Sequence, residues 1–161
     1  MITTQAKLKN FTCERLIVKI SYSRLNLNPK IKTGFVTRSK GVFFGHSIVI
    51  KSGPYDDNIK IPQAYDIDDK FLSLLRDGDI ITIEKNGMLS LIWSKELNPE
   101  DMTLFITNQC NANCIMCPQP PKKDEFSYLD LNNNILDFLR KEPIKYIGIT
   151  GGEPTLHKDE V

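Results

Sequence analysis

Three of the four cysteines, Cys110, Cys114 and Cys117, fall within eight residues in the run CNANCIMC, a C-x3-C-x2-C spacing. Thiolates crowded into one loop serve as metal ligands where the compartment is reducing. Three of them can hold three corners of a cubane iron–sulfur cluster. The fourth iron then has no local protein ligand and is open to a small molecule, much as a catalytic zinc keeps an open position. Structural zinc is the rival, but it takes four ligands, commonly as two cysteine pairs. Only one C-x2-C is present, so the fourth ligand would have to be His157, His46 or Cys13. Cys13 stands almost a hundred residues away and reads as an ordinary buried thiol, since free cysteine behaves as a small hydrophobe.

A second constellation is Gly151-Gly152-Glu153-Pro154. Two glycines let a small polar ligand approach the backbone, and Glu153 could accept from a cationic amine. The plainer reading is a tight turn followed by a solvated carboxylate. His157, three residues on, could face the same pocket as a proton donor or sit in a surface loop. Asn108, Asn111 and Asn113 surround the cysteines. They could donate to sulfides and tune a potential, or serve as ordinary loop residues. His46 reads as a strand residue with no catalytic part, Trp93 as a core residue near the boundary, and Lys122 to Glu125 as a solvated loop.

These residues need elements to hold them. The first hundred residues read as β-rich, with apolar stretches at Arg15–Ile20, Gly41–Lys51, Ile80–Glu84 and Leu89–Trp93. Asn86-Gly87 between the last two predicts a hairpin whose turn has φ > 0 at both residues. Asp68 to Arg76 predicts a short helix capped by an Asp, and Lys51 to Pro62 a loop. The texture changes near Asn98-Pro99-Glu100. Residues 1–100 hold 15 Lys and Arg against 11 Asp and Glu, a net of +4; residues 101–161 hold 6 against 9, a net of −3. Beyond the boundary, Leu104–Ile106 predicts a strand covered on both faces. Pro118–Pro121 excludes regular helix. A helix follows from Leu131 to Lys141, with Asp130 as its N-cap and Leu131, Ile135, Phe138 and Leu139 inward. Tyr146–Thr150 predicts a second strand, parallel to the first. Both the cysteines and the glycine pair then lie at the carboxyl edge, where α/β sheets bind ligands.

Cys110-x3-Cys114-x2-Cys117 after one strand and Gly151-Gly152-Glu153-Pro154 after the next resemble the radical S-adenosylmethionine (SAM) superfamily over residues 102–157. The resemblance implies that Cys110, Cys114 and Cys117 hold a 4Fe–4S cluster. S-adenosyl-L-methionine would bind its open iron and be cleaved to a 5′-deoxyadenosyl radical. It also implies that Gly151, Gly152, Glu153 and Pro154 line the site of the methionyl amine. Met116 would lie near the adenine, where the family commonly has an aromatic residue. A narrower resemblance is to the C-type maturases of the His-Xaa-Ser system. It rests on Cys117 to Pro121, on the β-rich leader with Leu75 to Asp79, and on Thr37-Arg38. It implies a small ribosomal peptide as substrate, a companion radical SAM protein and an electron donor.

The expected architecture is therefore α+β. A β-rich N-terminal domain (1–100) would precede the first βαβ portion of an incomplete radical SAM (β/α) barrel (101–161). Because such barrels have more units than these, the chain is expected to be a fragment, half of a split enzyme or a truncated product inactive alone. The alternative is a non-catalytic peptide- or partner-binding module with a vestigial metal site. The 161 residues are 40% hydrophobic and 25% charged, with a mean hydropathy of −0.27. That composition argues against disorder. No apolar run is long enough to span a bilayer, and the first residues hold no signal-peptide core. A net charge of +1 gives no case for nucleic acid or an anionic membrane. A cytoplasmic, reducing location is the expectation.

Overall fold

The computed structural model describes residues 2–28, 30–37, 44–112, 114–117 and 128–160. Asn113, Arg38, the start of the Gly41–Lys51 stretch, the Pro118–Pro121 segment and the Lys122–Glu125 loop lie outside the described residues. The chain divides into two compact units, Met1–Asn98 and Pro99–Val161.

The first unit is one mixed sheet. Its strands are β1 (Ile2–Gln5), β2 (Lys7–Lys9), β3 (Arg15–Ser21), β4 (Thr33–Val36), β5 (Ile48–Ile50), β6 (Gln63–Tyr65), β7 (Ile80–Glu84) and β8 (Met88–Trp93). Their order is β1-β8-β7-β3-β4-β5-β6-β2. The two ends of that order, β1 and β2, are neighbours in sequence with only Ala6 between them. One N-terminal run therefore pairs with β8 through its first half and with β6 through its second, so that it joins the two ends of the sheet and closes it as a barrel. Buried Val18, Ile20, Ile48, Ile50, Ile81, Ile83 and Leu89 fill the interior.

Helix α1 (Asp69–Leu74) adds Phe71 and Leu72 to that core, and Leu75 follows at its end. It starts as the sequence predicts, with Asp68 Oδ1 accepting from Lys70 N–H at 2.9 Å. The turn after it is held by Asp79, whose fully buried carboxylate accepts from the backbone N–H of Arg76 (2.9 Å) and of Lys95 (3.1 Å). The Leu75–Asp79 run that carried part of the narrower resemblance thus has a structural duty.

The β7–β8 hairpin forms with a different turn from the predicted one. Gly87 alone of the pair has positive φ (+87°). Gly87 N–H donates to Glu84 O, and the Asn86 side chain accepts from Met88 N–H, the pattern of a type I turn followed by a left-handed glycine. Gly87 also receives the closing strand: its carbonyl accepts from Ala6 N–H at 2.9 Å, and a Cβ on it would fall on Ala6 O.

In the second unit β9 (Asp101–Phe105) and β10 (Tyr146–Thr150) pair in parallel, with Met102 beside Ile147 and Leu104 beside Ile149. Helix α2 (Leu129–Leu139) lies between them in sequence and buries Asn132, Ile135, Phe138 and Leu139. It begins earlier than predicted, with Tyr128 at the N-cap and Asp130 in its first turn. Leu131 is half-buried, and the inward place beside it goes to Asn132, whose Nδ2 donates to Phe105 O at 3.0 Å.

The α+β class, with the opening of a radical SAM (β/α) barrel over 101–161, is corrected by this architecture. Among the described residues the chain is mostly β: an eight-stranded mixed sheet and a separate pair, against two α-helices of 6 and 11 residues. The parallel strands the chain multiplies, β3 to β6, sit in the first unit. The second unit holds a two-stranded sheet whose β10 is exposed at all five residues, so it is not a barrel portion. No helix among the described residues is long and apolar enough to cross a membrane.

Candidate functional site

At the carboxyl ends of β9 and β10 the parallel pairing continues into the loops. Ile106 N–H donates to Thr150 O (2.9 Å), Gly152 N–H to Thr107 O (2.7 Å) and Glu153 N–H to Gln109 O (2.8 Å). The segment leading to Cys110 is thus fastened to the Gly151-Gly152-Glu153 turn. The glycines make this possible. Gly151 has φ +146°, and its Cβ would stand 2.6 Å from Thr107 O; a Cβ on Gly152 would fall on Gln109 O. What approaches the glycine backbone here is the chain itself.

Side chains tighten the same junction. His157 interrupts the 3₁₀ turns over Pro154–Glu160 (φ −120°, ψ 58°). Its Nε2 lies 3.2 Å from Thr107 Oγ1 and 3.3 Å from Gln109 Oε1. Gln109 N–H donates to the same Thr107 hydroxyl at 3.0 Å. His157 is therefore half-buried and tied across to the cysteine loop, rather than being a solvated loop residue. Asn108 Nδ2 donates to Tyr128 OH at 2.9 Å, and the Tyr128 ring meets Phe105 edge-on with centroids 4.9 Å apart. Asn108 thereby joins the loop to the start of α2. Thr107, Gln109 and Tyr128 were not singled out from the sequence. The only signal was a polar run, TNQ, between an apolar strand and the first cysteine.

Glu153 is half-buried, as is Pro154. Its Oε1 accepts from Thr155 Oγ1 (2.6 Å) and from Thr155 N–H (3.1 Å). The hydroxyl first, then the N–H, hold the carboxyl below its ordinary range, so it stays ionised.

The cysteines are disposed unequally. Cys110 is half-buried, and its Sγ accepts from Ala112 N–H at 3.4 Å. Cys114 and Cys117 are exposed and joined by a Cys117 N–H to Cys114 O bond of 3.1 Å. Ile115 and Met116, between them, project into solvent. No described cysteine is in a disulfide. Among the described residues no three of Cys, His, Asp and Glu form a group that could hold a metal ion, so the three sulfurs are not gathered.

The residues weighed as a fourth zinc ligand are otherwise occupied or distant in sequence. Cys13, expected to be buried, is exposed. His46 is buried, 2.9 Å from Thr33 Oγ1 through Nδ1 and stacked on Phe35 with centroids 5.0 Å apart. Burial lowers its pKa from the usual value, against the opposing pull of the Arg24 and Ser23 backbone. Trp93 is buried, as expected.

No family model matches the chain, nor does any curated protein or solved structure. The donors themselves, three thiols free of disulfides in one loop, fit a thiolate-held cluster in kind. In the described arrangement they do not fit it in position.

Proposed function

We propose that Cys110, Cys114 and Cys117 hold a 4Fe–4S cluster and that S-adenosyl-L-methionine binds beside it, making the chain a radical SAM protein of peptide maturation. The observation that carries this reading is the junction itself. Two backbone hydrogen bonds, Gly152 to Thr107 and Glu153 to Gln109, hold the glycine turn against the segment that enters the cysteine loop. A cluster held by Cys110, Cys114 and Cys117 would supply the electron for cleavage of a sulfonium. The chain's own residues supply the rest. Glu153, kept ionised by Thr155, is suited to accept from an amine. Met116, apolar and exposed, is free to cover an adenine. Cys114 and Cys117 are exposed on a short turn, so bringing their sulfurs to Cys110 disrupts no core. A small ribosomal peptide as substrate, a companion radical SAM protein, an electron donor and a cytoplasmic location belong to the same proposal.

The second reading, a partner-binding module with a vestigial metal site, is favoured by the ungathered thiols. Anaerobic reconstitution with iron and sulfide separates the two. A 4Fe–4S signal in electron paramagnetic resonance that shifts when S-adenosyl-L-methionine is added is the expected result. Failure to take up a cluster, or zinc in its place, would sink the first reading. Replacing Cys110, Cys114 or Cys117 with Ala abolishes cluster loading, whereas Cys13→Ala leaves it intact.

A further inference from the structure

The crossovers from β3 to β4 and from β4 to β5 meet on the outside of the first unit. Leu25 forms a parallel bridge with Phe44. Phe44 N–H donates to Arg24 O (3.0 Å) and Asn26 N–H to Phe44 O (2.9 Å). The Asn26 side chain faces into the protein, with Nδ2 at 3.1 Å from Ile31 O, 3.0 Å from Thr33 Oγ1 and 2.8 Å from Gly45 O. Alternate residues of an extended segment point opposite ways, so an inward Asn26 sends Leu25 and Leu27 outward. Phe44, the bridge partner of Leu25, lies beside them. The three are 56%, 88% and 66% exposed. They make an apolar row on a fastened support, and beneath it Thr33 meets the buried His46. Exposed apolar groups held together in this way mark interaction surfaces.

The charge carried by this stretch of sequence has one sign, and the carboxylate seen on the crossover is Asp77, which accepts from Tyr22 N–H. From Arg15 to Tyr55 the sequence holds eight Lys or Arg and no Asp or Glu. Arg24, Lys30 and Lys32, in the same crossover as Leu25 and Leu27, are exposed. No salt bridge among the described residues uses them.

We infer that this row docks an acidic polypeptide segment that carries aliphatic or aromatic side chains among Asp and Glu. The apolar side chains need an apolar partner, and exposed cations that enter none of the salt bridges of the described residues favour an anionic one. A bilayer is the poorer match, because the segment is fastened to the first unit at Asn26 and at Phe44. Nucleic acid is also poorer, because two aliphatic side chains and one ring make a weak stacking platform. The surface lies within the first unit and does not depend on whether the cysteine loop holds a cluster.

The test uses the full chain on arrays of short synthetic peptides. One set combines Leu, Ile and Phe with Asp and Glu. A second keeps the apolar residues but carries Lys and Arg, and a third keeps the acids without apolar residues. Binding at least about tenfold stronger to the first set, weakening as salt rises, is expected. Leu27→Ser and the pair Lys30→Glu, Lys32→Glu should each remove that preference. Both changes are at exposed positions, and an unchanged thermal unfolding midpoint verifies that the fold survives. Equal binding to all three sets, or binding that both variants retain, would overturn the inference. So would capture by phosphatidylglycerol vesicles or by a single-stranded oligonucleotide without any preference for the acidic apolar peptides.

Discussion

Two residues illustrate how local chemistry constrains each unit. A methyl group at Gly152 would fall on Gln109 O, so Gly152→Ala forces the cysteine loop away from the turn after β10. Overpacking of that kind costs about 1–3 kcal/mol. Amide hydrogen exchange at Ile106, Gly152 and Glu153 should accelerate in the variant while the β3–β7 ladder stays protected. In the first unit His46 has a folded-state pKa lowered from 6.5 by burial. The unfolded chain therefore binds a proton at a pH where the folded chain does not. The contribution of His46 to stability is complete above pH 6.5 and is lost as the pH falls below it. Urea midpoints measured from pH 7 to pH 5 should fall, and His46→Gln should remove part of that slope. At this scale the sequence displayed the cysteines and the glycine pair through spacing alone. The tie between His157 and Thr107 was hidden, because it joins residues 50 apart and each, taken singly, reads as loop.

Among the elements, the β7–β8 hairpin was legible from Asn86-Gly87 between two apolar runs, and α1 from an Asp before its apolar residues. The turn type was not legible, because Asn86 spends its side chain on Met88 N–H and leaves the positive φ to Gly87. Strands β4, β5 and β6 were harder still. They are three or four residues long, too short to show a period, and among the described residues no helix between them announces parallel pairing. In α2 the missed N-cap has a similar origin: Asn132, a polar residue, takes an inward place because Phe105 O offers it a partner. The Gly87 position gives the test at this scale. Gly87→Ala meets both an unfavourable φ and the Ala6 carbonyl, a cost of about 1–3 kcal/mol. Circular dichroism should record a lower melting temperature for the variant, with exchange at Ala6 and along β1 rising first.

For the molecule as a whole, a division at Asn98 separates a closed, filled barrel from a unit whose described strands are one parallel pair. A fragment of residues 1–98 should unfold cooperatively by itself, since its core residues from Ala6 to Leu91 all lie within it. A broad, denaturant-insensitive transition in that fragment would show the barrel to be dependent on the rest. The charge contrast across the boundary was plain in the sequence. Closure of the sheet was not, because it is a relation between the two ends of a strand order and leaves no local mark.

That closure also sets a schedule for biosynthesis. Ile2 pairs with Leu91 and Lys7 with Tyr65, so the N-terminal run is made long before either partner leaves the ribosome. Until residue 91 has emerged, β6 and β8 offer no complete slot, and the nascent barrel carries an unsealed seam with two live edges. Such edges are where growing chains mispair. A run only eight residues long, exposed at most of its strand positions, waits through that interval at little risk to itself. Once residue 91 is out, pairing of this run with β6 and β8 closes the seam from both sides.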